Sequence, residues 1–337
     1  MIRLSDFDYH LPKELIAKYP VEPRDSCRLM VLNKKEKSIQ HRIFRDIIDY
    51  LEPGDTLVLN NTKVIPARII GKKENTNAKI EVFLVRPIEE NIWEALIKNI
   101  RRLKKNQKII ISDDFFVEFL DRDDEKAIVK IHSKDIKSDL EKYGHIPLPP
   151  YIDRQDEEKD KDYYQTVFAE KEGSVASPTA GLHFTKELLE RIKEKGVNVV
   201  YITLHVGLGT FKPVKTQDIT KHKMHEEYFT IPKETLEIIQ KTKEEKKTVV
   251  AVGTTVVRAL ETYGKFGKSE GFTDIFIYPP YEFKIVDKLI TNFHLPKSTL
   301  LMLVSAFADR DFILKAYNEA VKEKYRFFSY GDAMLIQ

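Results

Sequence analysis

The sequence predicts an α/β protein, in which a layered α/β domain carries an inserted small β-barrel domain. Three observations predict it: a buried-strand pattern early in the chain, short β-rich runs through residues 67–146, and alternating helices and strands after about residue 162. Residues 1–66 hold too little material for their own core. We therefore expect residues 1–66 and 147–337 to form one discontinuous domain and residues 67–146 to form the barrel.

The first 66 residues contain one predicted helix and one predicted strand. Residues 11–17 have a proline near their start, which is typical of the first helical turn. Residues 55–62 carry an apolar run of the kind found in buried strands. Both elements are expected to join the larger domain.

Six short β-rich runs follow, separated by polar turns and without a helical period. Six strands in about eighty residues predict a small barrel or a curled sheet. Three prolines within residues 145–151 exclude helix and mark a domain junction, and the charged residues 153–162 are interpreted as a solvated loop. The six runs are residues 67–70, 80–85, 93–97, 108–111, 115–120 and 127–131.

The remainder of the chain alternates between helices and strands. A helix over residues 185–195 has Thr185 as its N-cap and Gly196 as its stop, and a strand follows at 197–204. Further helices are predicted at residues 234–245, 256–262 and 312–323, with a strand at 248–252 and an apolar tail at 333–336.

Composition excludes several classes of protein. The 56 lysines and arginines against 53 aspartates and glutamates give +3, which neither suggests nor excludes a polyanionic partner. The single cysteine, Cys27, excludes an intrachain disulfide and multi-cysteine zinc motifs, and we interpret it as a buried small hydrophobe. No signal peptide is recognised, and the apolar residues 300–308 are about half a membrane span, so a cytoplasmic protein is expected.

Two glycine-containing turns occupy positions where α/β proteins bind ligands. Gly253 separates a strand from a helix, and the freed amides there favour a carboxylate or phosphate, although an ordinary N-cap explains the turn equally well. His205 follows a strand and precedes Gly207 and Gly209, so it is expected at a crevice; a structural histidine beside a flexible turn is the alternative.

A second histidine group lies at residues 222–227, with His225 close to Glu227. Imidazole and carboxylate suit a metal, but the spacing differs from the helical His-Glu-x-x-His pattern and no third ligand is nearby. We reject the metal interpretation. Proton transfer is preferred, because an imidazole titrates near neutrality and a carboxylate can orient it.

Basic residues offer two candidate nucleic-acid surfaces. Residues 98–108 hold six cations, including Arg101 and Arg102, and no acid, so they form either a phosphate-binding segment or a solvated loop. Near the C-terminus, residues 325–332 combine Arg326 with aromatic rings that could stack on bases or belong to the core. Four further cations could extend the first surface: Arg24, Arg28, Lys63 and Arg68.

Ten segments distributed along the chain resemble the S-adenosylmethionine:tRNA ribosyltransferase-isomerase family of queuosine synthesis. They are FDYHLP (7–12), NNTKVIPAR (60–68), HIPLPPYI (145–152), YQTV (164–167), SPTAGLHFT (177–185), TLHVGLGTF (203–211), HKMHEE (222–227), GTT (253–255), TNFHLPKSTL (291–300) and YRFFSYGDAMLI (325–336). Departures from the family pattern occur at Cys27, Lys63, Ser177 and Pro280. Lys63 keeps the charge of the expected arginine and lacks its bidentate fork.

The resemblance implies a reaction, an α/β domain joined to a β-barrel, and no metal. The enzyme would transfer the ribosyl part of S-adenosylmethionine, with isomerisation, to the aminomethyl group of a 7-deazaguanine at the tRNA wobble position. Adenine and methionine would leave. S-adenosylmethionine and tRNA are the expected partners of a monomer that does not bind membranes.

The expected site residues combine the residue patterns with this resemblance. Acid and base candidates are His183, His205 and His225, with Glu227 orienting one of them. Expected to contact S-adenosylmethionine are Thr179, Gly181, Gly207, Gly209, Gly253, Thr254 and Arg258. Expected to contact tRNA are Arg24, Arg28, Lys63, Arg68, Arg101, Arg102 and Arg326. A methyltransferase and a non-enzymatic tRNA-binding module are the alternatives.

Overall fold

A computed structural model describes residues 1–123 and 126–337. The strands are β1 (Arg28–Asn33), β2 (Ser38–Ile43), β3 (Thr56–Asn60), β4 (Thr62–Val64), β5 (Arg68–Lys73), β6 (Lys79–Pro87), β7 (Ile92–Ile97), β8 (Gln107–Ile110), β9 (Phe116–Asp123), β10 (Lys126–His132), β11 (Lys171–Ser174), β12 (Asn198–Leu204), β13 (Glu227–Thr230), β14 (Val249–Val252), β15 (Glu270–Thr273), β16 (Lys288–Asn292) and β17 (Ala333–Ile336). The α-helices are α1 (Ile136–Tyr143), α2 (Asp160–Tyr163), α3 (Lys186–Glu194), α4 (Lys233–Glu244), α5 (Thr254–Phe266), α6 (Thr299–Ala308) and α7 (Arg310–Lys322). Short 3-10 helices cover Leu4–Phe7, Lys13–Leu15, Arg24–Ser26, Phe44–Tyr50, Ile100–Arg102, Pro150–Ile152, Thr179–His183, Leu208–Phe211 and Ile219–Lys221.

A mixed nine-stranded sheet forms the α/β layer, with the strand order β15-β13-β12-β3-β14-β16-β17-β1-β2. The central strands β12, β3, β14 and β16 are parallel, as are β17 and β1, whereas the other neighbouring pairs are antiparallel. All five residues of β3 are buried, as expected for a strand that is covered on both faces.

Helices cover both faces of this sheet. Because side chains alternate along a strand, Leu57 and Leu59 pack with Leu188 and Ile192 of α3 on one face. Val58 joins a larger core on the other face, which contains apolar residues of α5, α6 and α7. The predicted layered α/β architecture is confirmed.

Four predicted helices are confirmed as α3, α4, α5 and α7. The Thr185 hydroxyl caps α3 by accepting the Leu188 amide at 3.1 Å. α5 extends beyond its predicted end, to Phe266, and stops where Gly267 takes a φ of 68°. The predicted helix at residues 11–17 is only the 3-10 turn Lys13–Leu15, whereas the apolar residues 300–308 lie in helix α6. Within residues 1–123 and 126–337, no helix combines the length and apolar character needed to cross a membrane.

All six β-rich runs form strands, and β5 to β10 close into a barrel in the order β10-β7-β6-β5-β8-β9. Alternate side chains fill its interior, for example Val82 and Leu84 of β6 with Val117 of β9. Leu140 of α1 packs on the same core. Short alternating runs without a helical period therefore predicted this part of the fold.

The expectation of a solvated loop at residues 153–162 is wrong for one residue. Asp160 is buried, and its carboxylate accepts two hydrogen bonds from the Arg154 guanidinium at 2.7 and 2.8 Å. The Tyr330 hydroxyl donates a third, at 2.8 Å. Although burial raises the pKa of a carboxyl, these bonds hold the pKa of Asp160 below its ordinary value. The charged run therefore anchors the C-terminal segment.

Candidate active site

The candidate site lies at the carboxyl ends of the central parallel strands. Their register aligns β12, β3, β14 and β16 side by side. Residues that follow them, among them Asn61, His205, Gly253 and Phe293, therefore emerge at one edge of the sheet. In open α/β sheets this edge is where ligands bind.

A cleft opens at this edge, and the space within it and just outside it amounts to about 700 Å³. Hydroxyl groups, amides and aromatic rings form its wall, and none of the described lining residues is aspartate, glutamate, lysine or arginine. The cleft therefore does not confront a ligand with a charged side chain.

One end of the cleft is formed by the start of α5. Gly253, with a φ of 93°, lets the chain turn sharply out of β14, and no described side chain caps the helix. Gly253, Thr254 and Thr255 line the cleft. The buried Ser177 hydroxyl lines it too and has no hydrogen-bond partner among the described residues. An uncapped helix N-terminus beside a free hydroxyl can bind a carboxylate or phosphate.

Asn60 joins three of the elements around the cleft, and sequence reasoning did not single it out. Its amide nitrogen donates to the Leu204 carbonyl at 3.0 Å and to the Thr255 hydroxyl at 3.1 Å. Its amide oxygen accepts from the Leu204 and Thr62 amides. This buried side chain therefore fixes α5 relative to β3 and β12. In the sequence, the signal for Asn60 was its position in residues 60–68, one of the segments that resemble the family.

Aromatic rings form another part of the wall. The rings of Tyr151 and Phe328 are 4.6 Å apart between centroids, and Phe293 also lines the cleft. The Tyr151 hydroxyl shares a 2.6 Å hydrogen bond with Ser329. Such a wall can stack on a planar ring or attract a ligand cation. The expectation that residues 325–332 are partly core is also met, because Phe327 is fully buried.

His294 is the histidine that lines the cleft, and it was not among the candidates from sequence. Its Nε2 shares a 2.9 Å hydrogen bond with the Thr291 hydroxyl. Its backbone is held by Tyr317 and Tyr9 through hydrogen bonds to the amide and carbonyl. Burial lowers the pKa of His294 to about 3, so the imidazole is neutral at physiological pH.

His183 lies behind the cleft wall. It is buried, with Nε2 2.8 Å from the Asn292 amide oxygen and Nδ1 3.3 Å from the Cys27 sulfur. The Asn292 nitrogen donates to the carbonyls of Phe328 and Ser329, so its oxygen must accept a proton from His183. Burial lowers the pKa of His183 to about 4. Both ring nitrogens bind other side chains, so contact between His183 and the substrate stays a prediction.

Cys27 is buried, as its interpretation from sequence predicted. Burial raises the pKa of its thiol, and the negative charge of Asp332 adds to that effect. A thiol in this state is a poor nucleophile. Its position against His183 makes it part of the packing behind the cleft.

The other two candidate histidines lie beside the cleft. His205 directly precedes the lining residue Val206, and its Nδ1 shares a 2.8 Å hydrogen bond with the Thr62 hydroxyl. Within the described residues, its Nε2 has no hydrogen-bond partner. His225 is exposed and packs against Gly209. Burial lowers the pKa of both imidazoles, so each is a neutral proton acceptor at pH 7.

Glu227 and Arg258 form a buried ion pair, with side chains 3% and 6% exposed. The carboxylate also accepts from the Gly207 amide at 2.9 Å and the Thr210 hydroxyl at 3.2 Å. No histidine among the described residues hydrogen-bonds Glu227, although the charge of Glu227 acts on His225. Arg258 faces Glu227 and not the cleft, because a buried charge needs an opposite charge. The predicted roles of both residues therefore stay predictions. The pair anchors the turn that carries Thr210 into the cleft.

Three of the seven residues expected to contact S-adenosylmethionine line the cleft: Thr179, Gly253 and Thr254. The other four lie outside its wall. They are Gly181, Gly207, Gly209 and Arg258. The glycines and hydroxyl-bearing residues therefore predicted turns that lie around the cleft, although only three of the seven expected residues line it.

Two of these glycines permit close packing. A Cβ atom at position 181 would lie 2.8 Å from the ring of Phe168, and one at position 209 would lie 2.3 Å from the ring of His225. Both distances are shorter than van der Waals contact. Gly181 and Gly209 are thus explained by neighbouring aromatic rings, and contact with a ligand is not needed to explain them.

The seven residues expected to contact tRNA separate into two groups. Three arginines donate to backbone carbonyls: Arg24 to Gln165 and Asp162, Arg28 to Glu323, and Arg326 to Tyr19. The Arg28 guanidinium also covers the Tyr325 ring at 3.8 Å. These contacts occupy some of the guanidinium donors, whereas Nη1 of Arg326 has no hydrogen-bond partner among the described residues, so binding of tRNA by the three arginines stays a prediction.

The remaining four cations differ in their pairing. Arg68 forms an ion pair with Glu81 at 3.0 Å, and Lys63 lies 3.9 Å from Glu172. Arg101 and Arg102 are exposed and form no ion pair with any described residue. Of the seven predicted cations, these two arginines are the exposed ones, so their charges are available to an anionic partner.

Known proteins resemble this chain over its whole length. A family model described as "Queuosine biosynthesis protein" matches residues 4–336. A relative from Sulfurihydrogenibium sp. (strain YO3AOP1) is 89% identical, with 99% of this chain and 100% of the relative covered. Relatives from Thermotoga maritima and Aquifex aeolicus are 55% and 56% identical with the same coverage. All three are named S-adenosylmethionine:tRNA ribosyltransferase-isomerase.

The fold is also similar to a solved structure. The crystal structure of S-adenosylmethionine tRNA ribosyltransferase from Thermotoga maritima matches with a TM-score of 0.58 and 45% identity. The match covers 99% of this chain and 100% of the other. The likeness therefore extends over both the barrel and the large sheet.

Proposed function

Because the chain belongs to the S-adenosylmethionine:tRNA ribosyltransferase-isomerase family of queuosine biosynthesis proteins, we propose that it catalyses that reaction on tRNA. It transfers and isomerises the ribosyl moiety of S-adenosylmethionine onto the 7-aminomethyl-7-deazaguanine wobble base. The products are epoxyqueuosine in tRNA, adenine and methionine. S-adenosylmethionine is consumed as a co-substrate.

The observation that carries this proposal is the neutral cleft at the sheet edge, with its uncapped helix and free hydroxyl. S-adenosylmethionine combines a sulfonium cation, a carboxylate and a planar adenine. A cleft without charged side chains avoids repelling the sulfonium, and the Tyr151 and Phe328 rings offer it cation–π attraction. The same rings can stack on adenine.

Two polar groups give the co-substrate its orientation. The methionine carboxylate binds the amides at the start of α5 and accepts a hydrogen bond from Ser177, because both donors are otherwise unused. His294, held neutral by burial, hydrogen-bonds a ribose hydroxyl or the adenine edge without repelling the cation. These contacts would hold the ribosyl carbons toward the open side of the cleft.

The reaction requires proton transfer at two places. The sulfonium acidifies protons on the adjacent ribose carbon, and the attacking amine must also lose a proton. We assign the base to His205, whose Nε2 is unpaired within the described chain, and we retain His225 as the second candidate. His183 is a positioning residue that acts through Asn292 on the wall formed by Phe328.

The proposed functions of the two domains follow the fold. Residues 1–66 and 147–337 form the catalytic domain, and residues 67–146 form a barrel domain that contacts RNA. A monomer is the proposed active form. The substrate tRNA makes the cytoplasm the proposed site of action.

The decisive experiment follows the ribosyl group. The protein is incubated with ribose-labelled S-adenosylmethionine and tRNA that carries the aminomethyl-deazaguanine. We expect label in the tRNA, with adenine and methionine released in equal amounts. Matched tRNA that carries guanine at the wobble position serves as the control and should remain unlabelled.

Two other outcomes would replace the proposal. Formation of ribose-labelled S-adenosylhomocysteine, with no label in the tRNA, would identify a methyltransferase. Salt-dependent tRNA binding without consumption of S-adenosylmethionine would identify a binding module. Both outcomes are measured in the same reaction mixture.

A further inference from the structure

The chain enters and leaves the barrel at one end. β5 begins at Arg68, whose backbone pairs with His145, and β10 ends at His132. Because neighbouring barrel strands are antiparallel, the hairpin after β5 and the connection between β7 and β8 lie at the opposite end. A strand of six residues spans about 20 Å. The far end of the barrel is therefore about one strand length from the end at which the chain enters and leaves.

Unpaired cations are concentrated at this far end. All six of them are exposed, and none forms an ion pair with any residue in 1–123 or 126–337. Lys73 links the two segments that carry them, because its Nζ donates to the Arg102 carbonyl at 3.0 Å. We call them the distal basic patch. Its members are Lys72, Lys79, Arg101, Arg102, Lys104 and Lys105.

Two features distinguish this patch from an average charged surface. Lys72 and Lys79 are direct cross-strand partners, an arrangement of like charges that destabilises a sheet. Glu74 in the same hairpin and Asp113, which lines a surface cavity together with Lys72 and Lys79, lie nearby, but neither forms an ion pair with a cation of the patch. The cations of the patch are therefore not paired even though acidic residues lie in the same region.

We propose that the distal basic patch binds the phosphate backbone of the substrate tRNA, outside the cleft that receives the modified base. This inference rests on the proposed function, which supplies a polyanionic substrate. Guanidinium groups match phosphate in a bidentate manner, and clustered cations replace its condensed counterions. A contact outside the cleft would hold the anticodon arm while the wobble base enters the cleft.

The test removes charge at the patch and at a control surface. The variants are Arg101→Gln/Arg102→Gln and Lys72→Gln/Lys79→Gln. The control, Lys233→Gln/Lys241→Gln, removes the same charge from the exposed face of α4. Affinity for the aminomethyl-deazaguanine tRNA is measured between roughly 0.05 and 0.3 M salt, where phosphate binding depends strongly on ionic strength. Turnover is measured with each substrate varied.

We expect each patch variant to bind tRNA roughly tenfold or more weakly at about 0.1 M salt. The slope of log affinity against log salt should fall by about one for every phosphate that a variant no longer binds. The kcat at saturating tRNA and the KM for S-adenosylmethionine should match the parental values, and the control should bind normally.

Other results would separate this inference from the proposed reaction. The assignment would be overturned if both patch variants kept the parental tRNA affinity and salt slope. It would also be overturned if the control variant lost as much tRNA affinity as the patch variants. If the parental protein fails to turn over while the patch variants still lose tRNA affinity, the reaction is wrong and the patch assignment stands.

Discussion

Glu227→Gln provides the sharpest test of how the cleft is supported. The substitution keeps the shape of the side chain and can still accept from the Gly207 amide, but it removes the charge that balances Arg258. The guanidinium would then retain only the carbonyls of Ile275 and Thr273, at 3.4 and 3.5 Å. Breaking a buried pair in this way costs about 3–5 kcal/mol of unfolding free energy.

Urea unfolding followed by circular dichroism measures this loss. The exposed neighbour gives the matched control, since Glu226→Gln should change stability by less than about 0.5 kcal/mol. The KM for S-adenosylmethionine should rise, because the ion pair no longer anchors the turn that carries Thr210. Replacing both partners, as in Glu227→Gln/Arg258→Met, should recover much of the stability. A single variant within about 1 kcal/mol of the parental protein would refute the reasoning.

Three further predictions concern the cleft and the layer behind it. Burial lowers the pKa of His183 from 6.5 in the unfolded chain to about 4 in the folded protein. Between these two pH values the unfolded chain binds more protons than the folded protein, so the free energy of unfolding should fall as the pH drops below about 6.5. This contribution is about 2 kcal/mol at pH 5, and urea titrations should show it missing in His183→Asn. Ser177→Ala should raise the KM for S-adenosylmethionine about tenfold with little change in kcat, and an unchanged KM would remove Ser177 from the carboxylate site. His205→Asn should lower kcat by about a hundredfold or more in steady-state assays, and equal losses in His225→Asn would leave the base unassigned between them.

Local patterns predicted the barrel more completely than the irregular segments. Each of its strands alternates between interior and exterior residues, so every run carries its own signal. The α3 helix was also encoded locally, through the Thr185 cap and the Gly196 stop. Asp160 was misassigned because its partner Tyr330 lies 170 residues away. Nothing in a charged run indicates such a partner.

The site shows the same limit more strongly. The Gly253 turn was predicted correctly, because a strand, a glycine and a helix follow one another in the chain. The position of His183 depends on Cys27 and Asn292, which lie 156 and 109 residues away. His294 was not predicted as a site residue, although it lies in residues 291–300, a segment that resembles the family. Only the parallel register of the folded sheet brings the end of β16 beside that of β14.

The treatment of charge around the cleft links the two proposed substrates. S-adenosylmethionine carries a sulfonium cation, whereas tRNA is a polyanion, so cations that favour one would repel the other. Near the cleft, burial keeps His294 neutral, and Glu227 neutralises Arg258. The exposed, unpaired Arg101 and Arg102 lie at the far end of the barrel. Placing the two binding functions on different surfaces lets each substrate meet a surface of suitable charge.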